Sequence, residues 1–189
     1  MLLGMRRPVP ARGEGRRAGH REHFAIVELL IFLHQACPAA FPLTVEKGEA
    51  PDFLLRPARS NRTSAVEHTE TTVEADQHFE AKADGATSFA WSPGGGGWTG
   101  SQIIAHLEEA LLLALRRKAA DSRWRNAPAD ASRMVPMYDA SGVELHADDV
   151  QAAQALRGAF WAANQETPAL RQAFLVRGMD RVIAAKAYA

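Results

Sequence analysis

Cysteine is almost missing: Cys37 is the only one in 189 residues, which excludes an internal disulfide and any cysteine-rich zinc site and fits a reducing cytoplasm. No run of about 20 predominantly apolar residues is present to span a bilayer, so no membrane partner is expected. Histidine spacing of the His-x-x-x-His kind is absent. His68, His78, His106 and His146 fall on at least three different elements and read as surface or core residues, not as a zinc set. A Gly-x-Ser-x-Gly elbow is lacking too, which sets aside a Ser-His-Asp hydrolase. "PGGGGWTGS" (93–101) precedes a helix but has neither the lysine nor the Ser/Thr of a P-loop, and reads as a loop.

Net charge is the last absence, with 22 basic residues against 22 acidic. The signs are unevenly spread. Residues 1–19 hold Arg6, Arg7, Arg12, Arg16 and Arg17 against Glu14, so the remainder, with 17 basic and 21 acidic residues, is mildly acidic. Bulk charge therefore does not mark a nucleic-acid binder; such a role needs a local basic patch or metal ions to offset phosphate charge.

What is present is the composition of a packed soluble domain, 47% apolar and 23% charged. The length suits one domain over 20–189 behind a disordered basic tail at 1–19, with Met5 or a later site as an alternative start. Arginines before "FAIVELLIFL" (24–33) and a following Cys37 imitate an export signal. Glu28 inside the run, and His34, Gln35 and Ala36 before the cysteine, oppose that reading. A cytoplasmic protein is expected.

Apolar periodicity predicts a helix over 21–36 that is packed on nearly all sides, ended by Pro38 and Pro42. Strands are expected at 43–49, 51–55 and 65–73, with a turn at 56–64, a short helix at 74–83 and a loop at 84–100. A helix at 101–120, N-capped by Ser101, carries the stripe Ile103, Ile104, Leu107, Leu111, Leu112, Ala114 and Leu115. Lys118, seven residues after Leu111, falls near the centre of that stripe. Pro136 in the strand 133–139 suggests a sheet edge or a bulge. A helix at 147–163 opens on Asp148 and Asp149 and is expected to bury Val150, Ala153, Leu156 and Phe160. Thr167-Pro168 reads as the start of a short helix, and 174–185 as a hairpin. The order is α-β-β-β-α-β-α with a terminal β pair.

The stretch "EAPDFLLRPARSNRTSAVEHTE" (49–70) gathers acids between strands. Alternation puts Glu67 and Thr69 on one face of a strand and Val66, His68 and Glu70 on the other. Antiparallel pairing brings Asp52 beside Glu67. Two converging carboxylates repel unless a cation lies between them, typically a magnesium ion held by oxygen ligands.

Glu28 on the first helix, Pro51-Asp52 opening a strand, and Glu67-His68-Thr69 on the next strand before a covering helix resemble the PD-(D/E)XK nuclease superfamily over residues 21–122. Within it, the "PDF" corner and "VEHTE" strand look like an uncharacterised bacterial branch with Glu-x-Thr in place of Glu-x-Lys. The resemblance implies an α/β restriction-endonuclease-like core, a central mixed sheet flanked by helices. It also implies magnesium- or manganese-dependent phosphodiester hydrolysis on nucleic acid, DNA ahead of RNA. Asp52 and Glu67 would be the principal ligands and Glu49 and Glu28 additional acids. Thr69 stands where the family has its lysine and cannot supply a positive charge. Lys118 is the candidate to replace it, against the plainer expectation that its ammonium runs past the helix end to water. Lys47 lies on the first strand with no other argument behind it. Trp91 or Trp98 could stack on bases of a bound strand. The alternative is a nuclease-like module that binds nucleic acid or protein without cutting.

Overall fold

The computed structural model describes residues 2–7, 18–71, 100–139 and 147–187. The expected helix at 74–83, the glycine loop up to residue 99 with Trp91 and Trp98, and His78 and His146 lie outside the described residues.

The chain is α/β. Helix α1 (Ala18–Ala36) is followed by strands β1 (Leu43–Lys47), β2 (Phe53–Pro57), β3 (Ser64–Val66) and β4 (Thr69–Thr71). Helix α2 (Gly100–Ala119), strand β5 (Ser132–Asp139), helix α3 (Asp149–Glu166) and strands β6 (Gln172–Val176) and β7 (Val182–Lys186) complete it. One mixed seven-stranded sheet runs β1-β2-β3-β5-β6-β7, with β4 beside β5. β1, β2 and β3 pair antiparallel, β3, β4, β5 and β6 parallel, and β7 returns antiparallel to β6. The parallel joints need crossovers, and α2 and α3 supply them.

Helices cover both faces. α2 and α3 pack Leu107, Leu111, Leu115, Leu156 and Phe160 onto Ala65, Val135, Met137 and Leu175. On the other face α1 packs Ile26, Val27, Leu29 and Leu30 onto Phe53, Val66, Met134 and Phe174. Each fully buried aliphatic side chain contributes about 1.5–3 kcal/mol. No helix among the described residues is long and apolar enough to cross a membrane.

The expected third strand is two strands in one register. Val66 pairs with Met134 and Thr69 with Met137, so Glu67 and His68 face Val135 and Pro136. The Glu67 N–H still donates to the Met134 carbonyl at 3.1 Å, but Pro136 has no N–H to return to the Glu67 carbonyl. The ladder breaks there. Pro136 is thus neither at an edge nor in a bulge; β5 is central, and the missing amide is absorbed by interrupting its neighbour.

Two further expectations are corrected. α3 buries Ala152, Ala155, Leu156, Ala159, Phe160 and Ala163, while Val150 is 67% exposed. The alanine face lets the helix approach closely, and Val150 sits in the first turn, beyond the core. Thr167 closes α3 as its C-cap and does not open another helix; proline shortly after a C-cap is a common stop. Asp148 forms a capping box with Gln151 at the start of α3. Within 1–19, expected from composition to be a tail, Leu2–Met5 form a 3-10 turn, and Leu2 packs against the α1 cluster.

Candidate functional site

A tight turn after β1 presents Asp52. The Gly48 N–H donates to the Asp52 carbonyl at 2.9 Å. A Cβ on Gly48 would stand 2.6 Å from the Pro51 carbonyl oxygen, so only glycine fits. Beyond Phe53 the antiparallel ladder with β3 has run out, since Pro51, opposite His68, offers no N–H. The Asp52 carboxylate takes the place of the backbone: Oδ2 accepts the His68 N–H at 2.7 Å. The acid is therefore fixed by the same strand interruption that holds Glu67.

Glu67 is fully buried and points toward α2. Its Oε2 accepts from Lys118 Nζ at 2.8 Å and is ion-paired with Arg123 Nη2 at 2.8 Å. Oε1 is buried with no hydrogen-bond partner among the described residues. Burial pushes the Glu67 carboxyl up, the Lys118 ammonium pulls it back down, and the Asp52 carboxylate adds to the rise. Lys118, in the last turn of α2, is only 4% exposed, so its ammonium turns inward and does not run to water. Its position on the apolar stripe is what aims it at the sheet.

Arg123 is the residue that sequence reading missed. It lies on a 3-10 turn, Ser122–Asn126, whose N-cap Asp121 accepts the Arg123 N–H. From there Nη1 lies 3.5 Å from Asp52 Oδ1 while Nη2 reaches Glu67, so one guanidinium spans both carboxylates. Asp121 holds that guanidinium at 2.9 Å and stands 3.7 Å from Lys118 Nζ. Trp124 Nε1–H donates to the Lys118 carbonyl and closes the end of α2. Nothing in the polar run "RWRNAP" signals this placement except the Asp-x-Arg capping pattern. Thr69, buried where the resemblance would place a lysine, accepts a hydrogen bond from Arg117. A cation thus reaches that position from α2.

The other predicted residues lie elsewhere. Glu28 is buried on the α1 face, paired with Arg6 Nε at 2.7 Å and accepting the Asp180 N–H at 2.9 Å. It cannot join Asp52 and Glu67, because the sheet separates them. Glu49 is exposed in the turn and makes no hydrogen bond or ion pair among the described residues. Lys47 pairs with Glu22 at 2.8 Å. His68 is on the opposite face from Glu67, as alternation requires. Burial lowers its pKa to about 4, aided by Lys118 and Arg21, so it stays neutral.

No group of three or more His, Cys, Asp or Glu side chains converges among the described residues. Asp52 and Glu67 are the pair able to hold a cation. Two carboxylates completed by waters and phosphate oxygens make the donor set magnesium takes. The Glu67 Oε1 without a donor is the atom a cation would satisfy. Arg123, with its side chain 40% exposed, has room to swing out of the gap. Comparison with known proteins finds no matching family model, no matching curated protein and no matching solved structure.

Proposed function

We propose that the chain is a magnesium- or manganese-dependent nuclease of the restriction-endonuclease-like kind, cutting nucleic acid, DNA ahead of RNA, in the cytoplasm. The observation that carries this reading is the buried Lys118 ammonium on Glu67 Oε2, with Asp52 held beside them by its bond to His68. The fold reading is supported by the order helix, three antiparallel strands, crossover helix and a strand parallel to the third.

When bound between the two carboxylates, the metal ion would polarise a phosphate oxygen and lower the pKa of a water. The chain's own groups then have distinct tasks. Asp52 and Glu67 supply oxygen ligands and no net positive charge. Lys118 keeps an ammonium beside the reacting phosphate, the role Thr69 cannot fill. Arg123 releases the carboxylates and turns its guanidinium to phosphate oxygens, a bidentate partner suited to its geometry.

A second reading rests on Arg123 as it stands. A guanidinium across both acids, together with the Lys118 ammonium, offsets their two charges without metal, which suits a module that binds and does not cut. Cleavage of labelled single- and double-stranded DNA and RNA with magnesium or manganese separates the two. Cutting that falls at least about 100-fold in Asp52→Ala, Glu67→Ala and Lys118→Met, each still folded, supports the nuclease. Absence of cutting by folded wild type with either metal refutes it in favour of the module.

A further inference from the structure

The two edges of the sheet differ. β1 is charged and mostly exposed, with Glu46 paired to Arg56 and Lys47 to Glu22, a composition that discourages another strand. β7, at the other end of the sheet, reads Val182-Ile183-Ala184-Ala185-Lys186 and has neither proline nor acid. Hydrogen bonding at the two ends of the β6–β7 ladder fixes which of its backbone groups point outward. The Arg177 N–H donates to the Arg181 carbonyl, and the Ala187 N–H to the Arg171 carbonyl. Antiparallel alternation then turns the N–H and C=O groups of Ile183 and Ala185 toward β6. Those of Val182, Ala184 and Lys186 face away from the sheet, and no strand among the described residues pairs with them. A second observation lies beside this edge. Trp161 on α3 is 66% exposed, the largest exposed apolar side chain among the described residues. With Arg157, Phe160, Ala184 and Ala187 among others it lines a groove of about 700 Å3 between α3 and β7. Tryptophan is enriched at the centres of protein interfaces.

We propose that β7 pairs antiparallel with β7 of a second copy of this chain, about a two-fold axis at Ala184, and joins the two sheets into one. Antiparallel pairing of a strand with itself is closed by such an axis, so each copy satisfies the outward backbone groups of the other: Val182 opposite Lys186, Ala184 opposite Ala184. The axis stands perpendicular to the sheet and keeps like faces together. On one face α3 then lies beside α3 of the copy, and each Trp161 comes to the seam. On the other face charge decides. Lys186 shares the α1 face with Ala184 by alternation, and it falls diagonal to Asp180 of the copy. Asp180 lies on that face too, because its N–H bonds Glu28. It shares the single Arg6 cation with Glu28 and its side chain is 60% exposed, so it has room for a second cation. The same register holds the two Lys186 side chains at opposite ends of the seam, where like charges do not meet. The inference does not rest on the catalytic reading, since none of these residues belongs to the Asp52, Glu67 and Lys118 group.

The test is sedimentation equilibrium of the full chain, with circular dichroism of every variant. Wild type is expected to dimerise; a chain that stays monomeric up to ~100 μM overturns the proposal. Ala184→Pro removes an N–H that the ladder with β6 does not use, so the fold should survive while dimerisation weakens about tenfold or more. Trp161→Glu, at an exposed position, should weaken it by about as much, and decides the matter if the proline variant fails to fold. Lys186→Glu sets like charges against Asp180 of the copy and should weaken it less. Cross-linking checks the register. In a Cys37→Ser background, Ala184→Cys is expected to form an intermolecular disulfide on mild oxidation, because residues opposite each other in a hydrogen-bonded pair have Cα atoms about 5.5 Å apart. Val45→Cys on β1 should not. A dimer that persists in both Ala184→Pro and Trp161→Glu, or one linked through position 45 and not through position 184, would place the interface elsewhere and overturn the assignment of β7.

Discussion

Two glutamates, Glu28 on α1 and Glu67 between β3 and β4, are both fully buried, one on each face of the sheet. Each is matched by cations, yet their surroundings differ. Glu28 faces the Arg6 guanidinium with both oxygens, at 2.7 Å and 2.9 Å, and takes a backbone N–H besides. Its second acid, Asp180, is exposed and bound to the same arginine. Glu67 shares its cations with Asp52 and Asp121, and each glutamate has a buried Oε1 without a hydrogen bond among the described residues, but Glu28 Oε1 lies 2.7 Å from Arg6 Nε whereas both cations on Glu67 sit at Oε2. Through Arg6 and the Asp180 N–H, Glu28 ties the N-terminal turn and the β6–β7 hairpin to α1. On each side acids outnumber cations by one, but on the Glu28 side the surplus acid is the exposed Asp180, whereas on the Glu67 side a fully buried carboxylate oxygen has no cation against it, and that oxygen marks a place for a ligand. Burial of a charge alone does not.

Removing the cation on each side should break the comparison most strongly. Arg6→Met leaves Glu28 with no cation among the described residues, and a loss of about 3–5 kcal/mol in urea unfolding is expected. Lys118→Met should fall at the lower end of that range, because Arg123 remains on Glu67. A larger loss for Lys118→Met than for Arg6→Met would make Glu67 the more dependent of the two acids and reverse the order.

Acid sharpens it next. His68 on the Glu67 strand has a folded pKa of about 4 against an ordinary 6.5, so the unfolded chain binds the proton more readily. Its contribution is complete above pH ~6.5 and is lost as pH falls toward ~4, a span worth about 3 kcal/mol. In metal-free buffer His68→Leu should flatten that part of the stability curve relative to wild type; an unchanged slope would show that His68 is not buried neutral.

The smallest effect is expected at Arg123. Because it is partly exposed, Arg123→Ala should cost only about 1 kcal/mol, yet it clears the gap between Asp52 and Glu67. Melting with magnesium should then show a larger rise than in wild type, about 2.7 kcal/mol at a hundredfold excess over Kd. Glu67→Gln should abolish the rise and Glu28→Gln should keep it. A rise retained in Glu67→Gln would place the cation elsewhere.

The parts of this arrangement readable from sequence are those governed by short periods. Strand alternation puts Glu67 and His68 on opposite faces, the turn after 56 pairs Asp52 with Glu67, and the offset of Lys118 from Leu111 puts a cation on an apolar face. What escapes depends on contacts between distant segments. Arg123 sits in a stretch without periodicity, and its aim follows from how Asp121 caps a 3-10 turn. Arg6 belongs to a basic run whose composition suggests disorder, and only the buried Glu28 gives it a partner. Pro136 invites a rule for strand edges, but β3 and β4 part opposite it and leave no N–H demanded there. Glu28 fits the resemblance in order along the chain, while the layer it occupies is decided by which face of the sheet α1 covers.

The β3–α2–β5 crossover also has a consequence for the order in which the molecule is assembled. Asp52 and Glu67 come together through a local hairpin, but Lys118 and Arg123 reach them only after α2 has docked and β5 has paired in parallel, a contact between residues 51 positions apart. Parallel pairing of this kind is slow because loop closure precedes its reward. Until then Glu67 remains hydrated, so enclosing the charges is a late event in folding and the first to be undone when the crossover opens. Interactions made after the rate-limiting step act chiefly on the rate of unfolding. Lys118→Met is therefore expected to speed unfolding more than it slows refolding, a split that stopped-flow urea kinetics measures.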